Sequence, residues 1–164
     1  IARKSEGHTR RLKPKARRKI FTTPSKEDVR ELSRWVDDAA QHTFLSIGDD
    51  IYAYNSAVVE DVVALAENLS VVYSGVAMGR LFKHKLKPEH PLALYVGLKE
   101  DVVPVVDVSL DDALDYLRRN DIAASRFAEG INVVAYKGVP IGFVKRIGAR
   151  CNNMYPKDLR IVKL

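Results

Sequence analysis

A single cysteine stands among the 164 residues, and that scarcity closes several classes of function at once. Cys151 has no partner for an internal disulfide and belongs to no CxxC or Cys/His ligand set, which argues against a structural zinc site and suits a reducing compartment. Long hydrophobic runs are missing too: no apolar stretch reaches the roughly 18 to 20 residues a membrane helix needs. The start, Ile1 to Lys19, is basic and lacks the apolar segment of a signal peptide. The expectation is a soluble, cytoplasmic chain with no membrane partner. Catalytic signatures are equally absent, with no GxSxG, no HExxH, no P-loop and no GxGxxG after a strand, so no catalytic residue, metal or cofactor is predicted.

Acidic residues are scarce at both ends, and this segregation is informative. Residues 1–24 hold nine lysines and arginines against one acid, Glu6, while residues 137–164 hold seven against one, Asp158. Between them, residues 25–79 carry three bases and ten acids. A third basic cluster, GRLFKHKLKPEH at 79–90, puts Arg80, Lys83, Lys85 and Lys87 within eight residues. Basic segments around an acidic middle point to a polyanionic partner, because neutralising phosphates releases their counterions and drives binding.

Hydrophobic periodicity predicts an α+β chain. Residues 1–24 lack a period and read as a flexible basic arm or linker. Ser25 with Asp28 forms a capping-box-like start for a helix whose stripe is Val29, Leu32, Val36 and Ala39, with Trp35 beside it as a core or boundary residue. Gly48-Asp49-Asp50 joins two strands at about 43–47 and 51–54. Ser56 is the expected cap of a second helix with Val58, Val59, Val62, Val63, Ala66 and Leu69 on its apolar face. The stretch LSVVYSGVAMGRLFKH reads as strand, glycine break, strand, and HPLALYVGL as a short buried helix with Pro91 in its first turn. A strand at VVPVVDVS precedes a helix capped by Ser109, with Leu110, Leu114 and Leu117 facing inward. Two strands meet at Lys137-Gly138, and DLRIVKL is expected to supply a last one.

Chemistry concentrates in one stretch, GVPIGFVKRIGARCNNMYP at 138–156. A hairpin ending in Lys145-Arg146, followed by a loop with Arg150, Asn152, Asn153 and Tyr155, combines charge, amides and an aromatic face. Phosphates take lysine and arginine, amides read base edges or a 2′-hydroxyl, and a tyrosine stacks on an unpaired base. The competing reading is a solvated loop rim. His84 and His90 have no carboxylate partner in local sequence and read as phosphate contacts or surface residues. Cys151 sits in an electropositive setting of the kind that lowers a thiol pKa. The acidic pairs Asp49-Asp50 and Asp111-Asp112 are explained by turn formation and capping rather than by metal.

Two segments carry a resemblance. Gly79-Arg80-Leu81 with His90-Pro91-Leu92-Ala93-Leu94, and later Gly138-Val139-Pro140-Ile141-Gly142-Phe143-Val144-Lys145-Arg146 ending Asn153-Met154-Tyr155-Pro156-Lys157 and Arg160, resemble the C-terminal region of RsmF-type RNA cytosine-5 methyltransferases of the Nop/Sun family. The resemblance spans about residues 70–164. It implies a PUA-like RNA-binding β-barrel at 99–164, packed on a small αβ subdomain at 25–98. It also implies a role in positioning ribosomal RNA for a methyltransferase domain that would lie in cis. On this reading Arg80, Lys83, Lys85, Lys145, Arg146, Arg150 and Lys157 hold phosphates, while Asn153 and Tyr155 meet base or sugar. The chain departs from the family's enzymes in lacking their S-adenosylmethionine-binding pattern and paired cysteines, so it is not expected to methylate by itself. Ile rather than Met at position 1 fits either a piece that follows a methyltransferase domain or a trimmed independent protein. The alternative is a stand-alone ribosome-assembly factor that binds RNA and also a protein partner through its acidic half.

Overall fold

The computed structural model describes residues 20–162, so most of the basic arm lies outside the described residues. The expected boundary at residue 24 needs correction. Phe21 is buried, and Thr22 exchanges backbone hydrogen bonds of 3.0 and 2.8 Å with Ser46. An aromatic that completes a core is not linker.

Helix α1 (Lys26–Leu32) starts where the capping box places it, with Ser25 Oγ accepting from the Asp28 N–H at 3.1 Å. It ends earlier than the stripe predicts. After Leu32 the chain turns, and Trp35 to Asp37 pair with Gly97 to Lys99 instead, the Asp37 N–H donating to Gly97 O at 2.9 Å and the Lys99 N–H to Trp35 O at 3.0 Å. Asp38, left-handed at φ 50°, closes that route. Trp35 and Val36 are buried nonetheless, as core residues of a turn.

Strands β1 (His42–Ile47) and β2 (Asp50–Asn55) form the expected hairpin. Helix α2 (Val59–Asn68) follows, with Val58 rather than Ser56 at its cap, and lays Val59, Val62, Val63 and Ala66 against Phe21, Leu45 and Tyr54. Residues 69–75 are not a strand. The chain stays irregular there, with Val72 and Tyr73 exposed, until β3 (Val76–Phe82) pairs with β2 and with β4 (Lys85–Pro88). Sheet one therefore runs β1-β2-β3-β4. Helix α3 (His90–Ala93) comes next, with Pro91 in its first turn.

Sheet two runs β5-β6-β7-β8, with β5 (Val105–Asp107) parallel to β6 (Gly130–Tyr136), and with β7 (Val139–Ile147) and β8 (Arg150–Asn153) antiparallel to their neighbours. Helix α4 (Leu110–Arg118), capped by Ser109 as expected, turns Ala113, Tyr116 and Leu117 to the sheet and leaves Leu110 exposed. The strand expected in DLRIVKL is not formed by residues 158–162; the last strand, β8, begins eight residues earlier.

Alternation explains how sheet two joins the rest. Val133 and Phe143 enter one core with Leu32, Trp35, Met78 and Leu92, while Val134 and Val144 enter a second with Tyr116 and Phe127. Trp35 meets Phe143 edge-on at 6.2 Å, and α3 packs on both β3 and β7. The two sheets thus share one core, which fixes their facing edges.

Candidate nucleic-acid interface

Those edges bound a groove of about 840 Å³ between the β3–β4 hairpin and the β7–β8 edge. On the hairpin, Arg80 stands opposite Lys87 and Phe82 opposite Lys85, so all four side chains share one face, while the intervening Leu81–Leu86 pair faces the core. Across the groove, Lys145 stands opposite Asn152. Arg119, left-handed at the end of α4, and Lys157 complete the rim; Pro88, Ile131 and Met154 lie among the lining residues. Six cations line the groove against one carboxylate, Glu89. Clustered lysines and arginines in a concave surface focus a positive potential on it.

The predicted residues divide. Arg80, Lys85, Lys145, Asn153, Tyr155 and Lys157 are brought together here although some sixty residues of chain separate the two segments. Arg80 is held by Asp50, Nε to Oδ1 at 2.5 Å, which raises the guanidinium pKa while the side chain stays mostly exposed. Lys85 lies 3.6 Å from Glu31 Oε2, an exposed pair of little strength. Lys83, Arg146 and Arg150 do not line the groove. Lys83 sits at the hairpin tip with Nζ 5.7 Å from the Phe82 ring centroid. Arg150 is exposed on β8 beyond it.

Arg146 corrects the expectation most clearly. The strand runs on past Lys145, so alternation sends Lys145 to the groove side and Arg146 to the other. There Arg146 donates from Nη1 to Phe127 O at 2.6 Å and from Nε to Gly148 O at 2.9 Å, with Glu129 Oε2 3.9 Å away. These bonds fasten the β7–β8 turn, and the guanidinium is structural. Asn153 is likewise committed: its Nδ2 donates to Tyr116 O at 2.8 Å and its Oδ1 accepts from the Tyr155 N–H at 2.9 Å. The exposed amide is its neighbour Asn152. Tyr155 is half-buried, packed edge-on against His90 at 5.0 Å and Tyr116 at 5.4 Å.

Sequence reasoning missed Phe82 and Arg119 as groove residues, and placed Lys87 and Asn152 in the right segments without assigning either a contact. Period-two spacing of Arg80 and Phe82 was the available signal. The hairpin that pairs them with Lys87 and Lys85 turns on Lys83 and His84, both left-handed at φ 48° and 57°, where no glycine or asparagine announces a turn.

The histidines also find places. His84 Nδ1 lies 2.8 Å from Asp28 Oδ1, with Nε2 3.8 Å from Glu27 Oε2, and the Asp28 hydrogen bond raises its pKa. It latches the hairpin to α1. His90 lines the groove, and burial lowers its pKa, so the ring is neutral at pH 7. Burial also pushes the Cys151 thiol up, against the smaller opposing effect of Arg146; the sequence context had suggested the reverse. Among the described residues there is no cluster of three metal-ligating side chains and no helix long and apolar enough to cross a membrane.

Fold and groove together define an α+β chain with a cationic cleft shared by two sheets. Residues 103–161 match the family model for the methyltransferase RsmF PUA domain. The chain is 33% identical over 89 residues to the ribosomal RNA small subunit methyltransferase F of Shewanella baltica strain OS195, an alignment covering 52% of this chain and 18% of that protein. It is 33% identical over 92 residues to the protein of the same name from Shewanella sp. strain MR-4, covering 52% and 19%. For Shewanella oneidensis the identity is 29% over 87 residues, covering 52% and 18%. The chain therefore contains a PUA-like region of the RsmF methyltransferase type, and it spans under a fifth of the length of the curated relatives it matches.

Proposed function

We propose that the groove binds RNA and that this chain is a non-catalytic, cytoplasmic module that positions ribosomal RNA for a cytosine-5 methyltransferase domain in cis. In this reading residues 99–164 form a PUA-like barrel and residues 25–98 the αβ subdomain that supplies the opposite wall. The carrying observation is the meeting of Arg80, Lys85, Lys87, Arg119, Lys145 and Lys157 in one groove with a single acid. The likeness to ribosomal RNA methyltransferases supports the choice of RNA over other polyanions and of ribosomal RNA over other RNA.

The test is an anisotropy titration of labelled RNA at several salt concentrations. Each phosphate contact to a single strand contributes about −0.7 to the slope of log K against log salt, so four to six contacts give about −3 to −4. A slope near zero with retained affinity overturns the groove model and favours the alternative, an assembly factor acting through apolar contact with a protein partner.

A further inference from the structure

Resting on the RNA-binding reading above, we infer that Phe82 is the stacking platform for an unpaired base, and that the groove takes a single strand in preference to a duplex. Phe82 is 70% exposed. Its neighbour Leu81 and the cross-strand Leu86 already supply the hairpin's core face, so packing does not account for an aromatic here. The ring stands in the row of Arg80, Lys85 and Lys87, where a base laid on it would have its phosphates within reach of cations. Basic grooves that hold single strands combine backbone-tracking charge with aromatic faces, since every base has a π-face to stack.

Four further features fit a platform. The two-residue turn after Phe82 is tight, and His84 ties it to Asp28 and Glu27 on α1, so the ring is carried by an anchored hairpin tip. Lys83 Nζ lies over the ring at 5.7 Å, which adds a cation for a flanking phosphate. The other groove aromatic, Tyr155, is engaged edge-on with His90 and Tyr116 and is less available. A volume of about 840 Å³ is in the class that encloses a small ligand, such as one or two splayed nucleotides. A duplex keeps its bases stacked inside and offers Phe82 no face.

The experiment compares an unstructured single-stranded RNA, carrying 2-aminopurine, with a fully paired hairpin of equal length, using the whole chain and the variants Phe82→Ala, Phe82→Trp and Lys145→Glu. The wild type is expected to prefer the single strand and to quench the 2-aminopurine. Phe82→Ala should lose about tenfold in single-strand affinity and the quenching, with duplex affinity and salt slope unchanged. Phe82→Trp should restore both, and Lys145→Glu should weaken both RNAs alike. Equal affinity of Phe82→Ala and wild type for the single strand overturns the inference. So does a loss shared equally by duplex, which would mean that Phe82 only shapes the hairpin. If Lys145→Glu and wild type bind identically, the groove reading itself fails, and the two failures are thereby told apart.

Discussion

Replacing Arg146 with alanine removes a hydrogen bond of 2.6 Å to Phe127 O and one of 2.9 Å to Gly148 O, and leaves the partly buried Phe127 carbonyl without that donor. A hydrogen bond to a charged group contributes about 1.5 to 3 kcal/mol net. The contact to Glu129 at 3.9 Å adds little, since Glu129 is mostly exposed. About 2 kcal/mol is the expected loss, which lowers Tm by about 4 to 8 °C in a chain of this size. Lys145, one residue earlier, should behave in the opposite way. It is exposed at the groove edge, so Lys145→Glu should change stability by less than about 0.5 kcal/mol. Yet removing its phosphate contact should reduce the salt slope of single-strand RNA binding by about 0.7. Thermal melts and anisotropy titrations of both single variants give a crossed pattern: Arg146→Ala unstable but binding competent when folded, Lys145→Glu stable but weakly binding. If Arg146→Ala melts with the wild type, or if Lys145→Glu unfolds, the assignment of the two sides of β7 is refuted.

Other expectations follow from particular contacts. A methyl at Gly142 would lie 2.0 Å from Tyr116 Oη at φ +148°, so Gly142→Ala should cost about 3 kcal/mol in chemical denaturation, with part recovered by adding Tyr116→Phe. His84 has a raised folded pKa, so the stability it contributes is full below its ordinary value of 6.5 and is lost as pH rises through the higher folded value; melts of wild type and His84→Ala should differ at pH 5.5 and converge at pH 8.5. His90 has a lowered folded pKa and acts in the opposite sense, its neutral ring becoming a liability as pH falls below about 6.5; His90→Gln should flatten that acid limb of the stability profile. Cys151 is half-buried with its thiol pKa raised, so iodoacetamide labelling at pH 7 should be slower than for a free thiol, and Cys151→Ser should bind RNA normally.

Much of the fold was legible because local chemistry and tertiary environment agree. Ser25 and Ser109 cap their helices, Gly48 and Lys137-Gly138 turn their hairpins, and Pro91 opens α3. The failures have physical causes. The stripe Val29, Leu32, Val36, Ala39 looked helical throughout, but Val36 is buried from a turn that pairs with 97–99, a long-range contact that no local period encodes. The break in β7 at Gly142, where the register shifts between Val134 and Ala135, sends Ile141 to a different core from Phe143 and defeats simple alternation. At the site, composition located the two basic segments, and the shared core of the two sheets brings them to one groove. Residue type alone could not reveal that Arg146 and Asn153 spend their hydrogen bonds inside the protein, or that Phe82 is left outside.

The central claim is that RNA occupies the cleft between the β3–β4 hairpin and the β7–β8 edge. Backbone amide chemical shifts followed during titration with an unstructured RNA test it most directly. The account predicts perturbations concentrated at residues 80–87, Arg119, Lys145 and 152–157, with α2 and residues 69–75 unaffected. Perturbations centred on α2 and 69–75, with the groove residues silent, would contradict it.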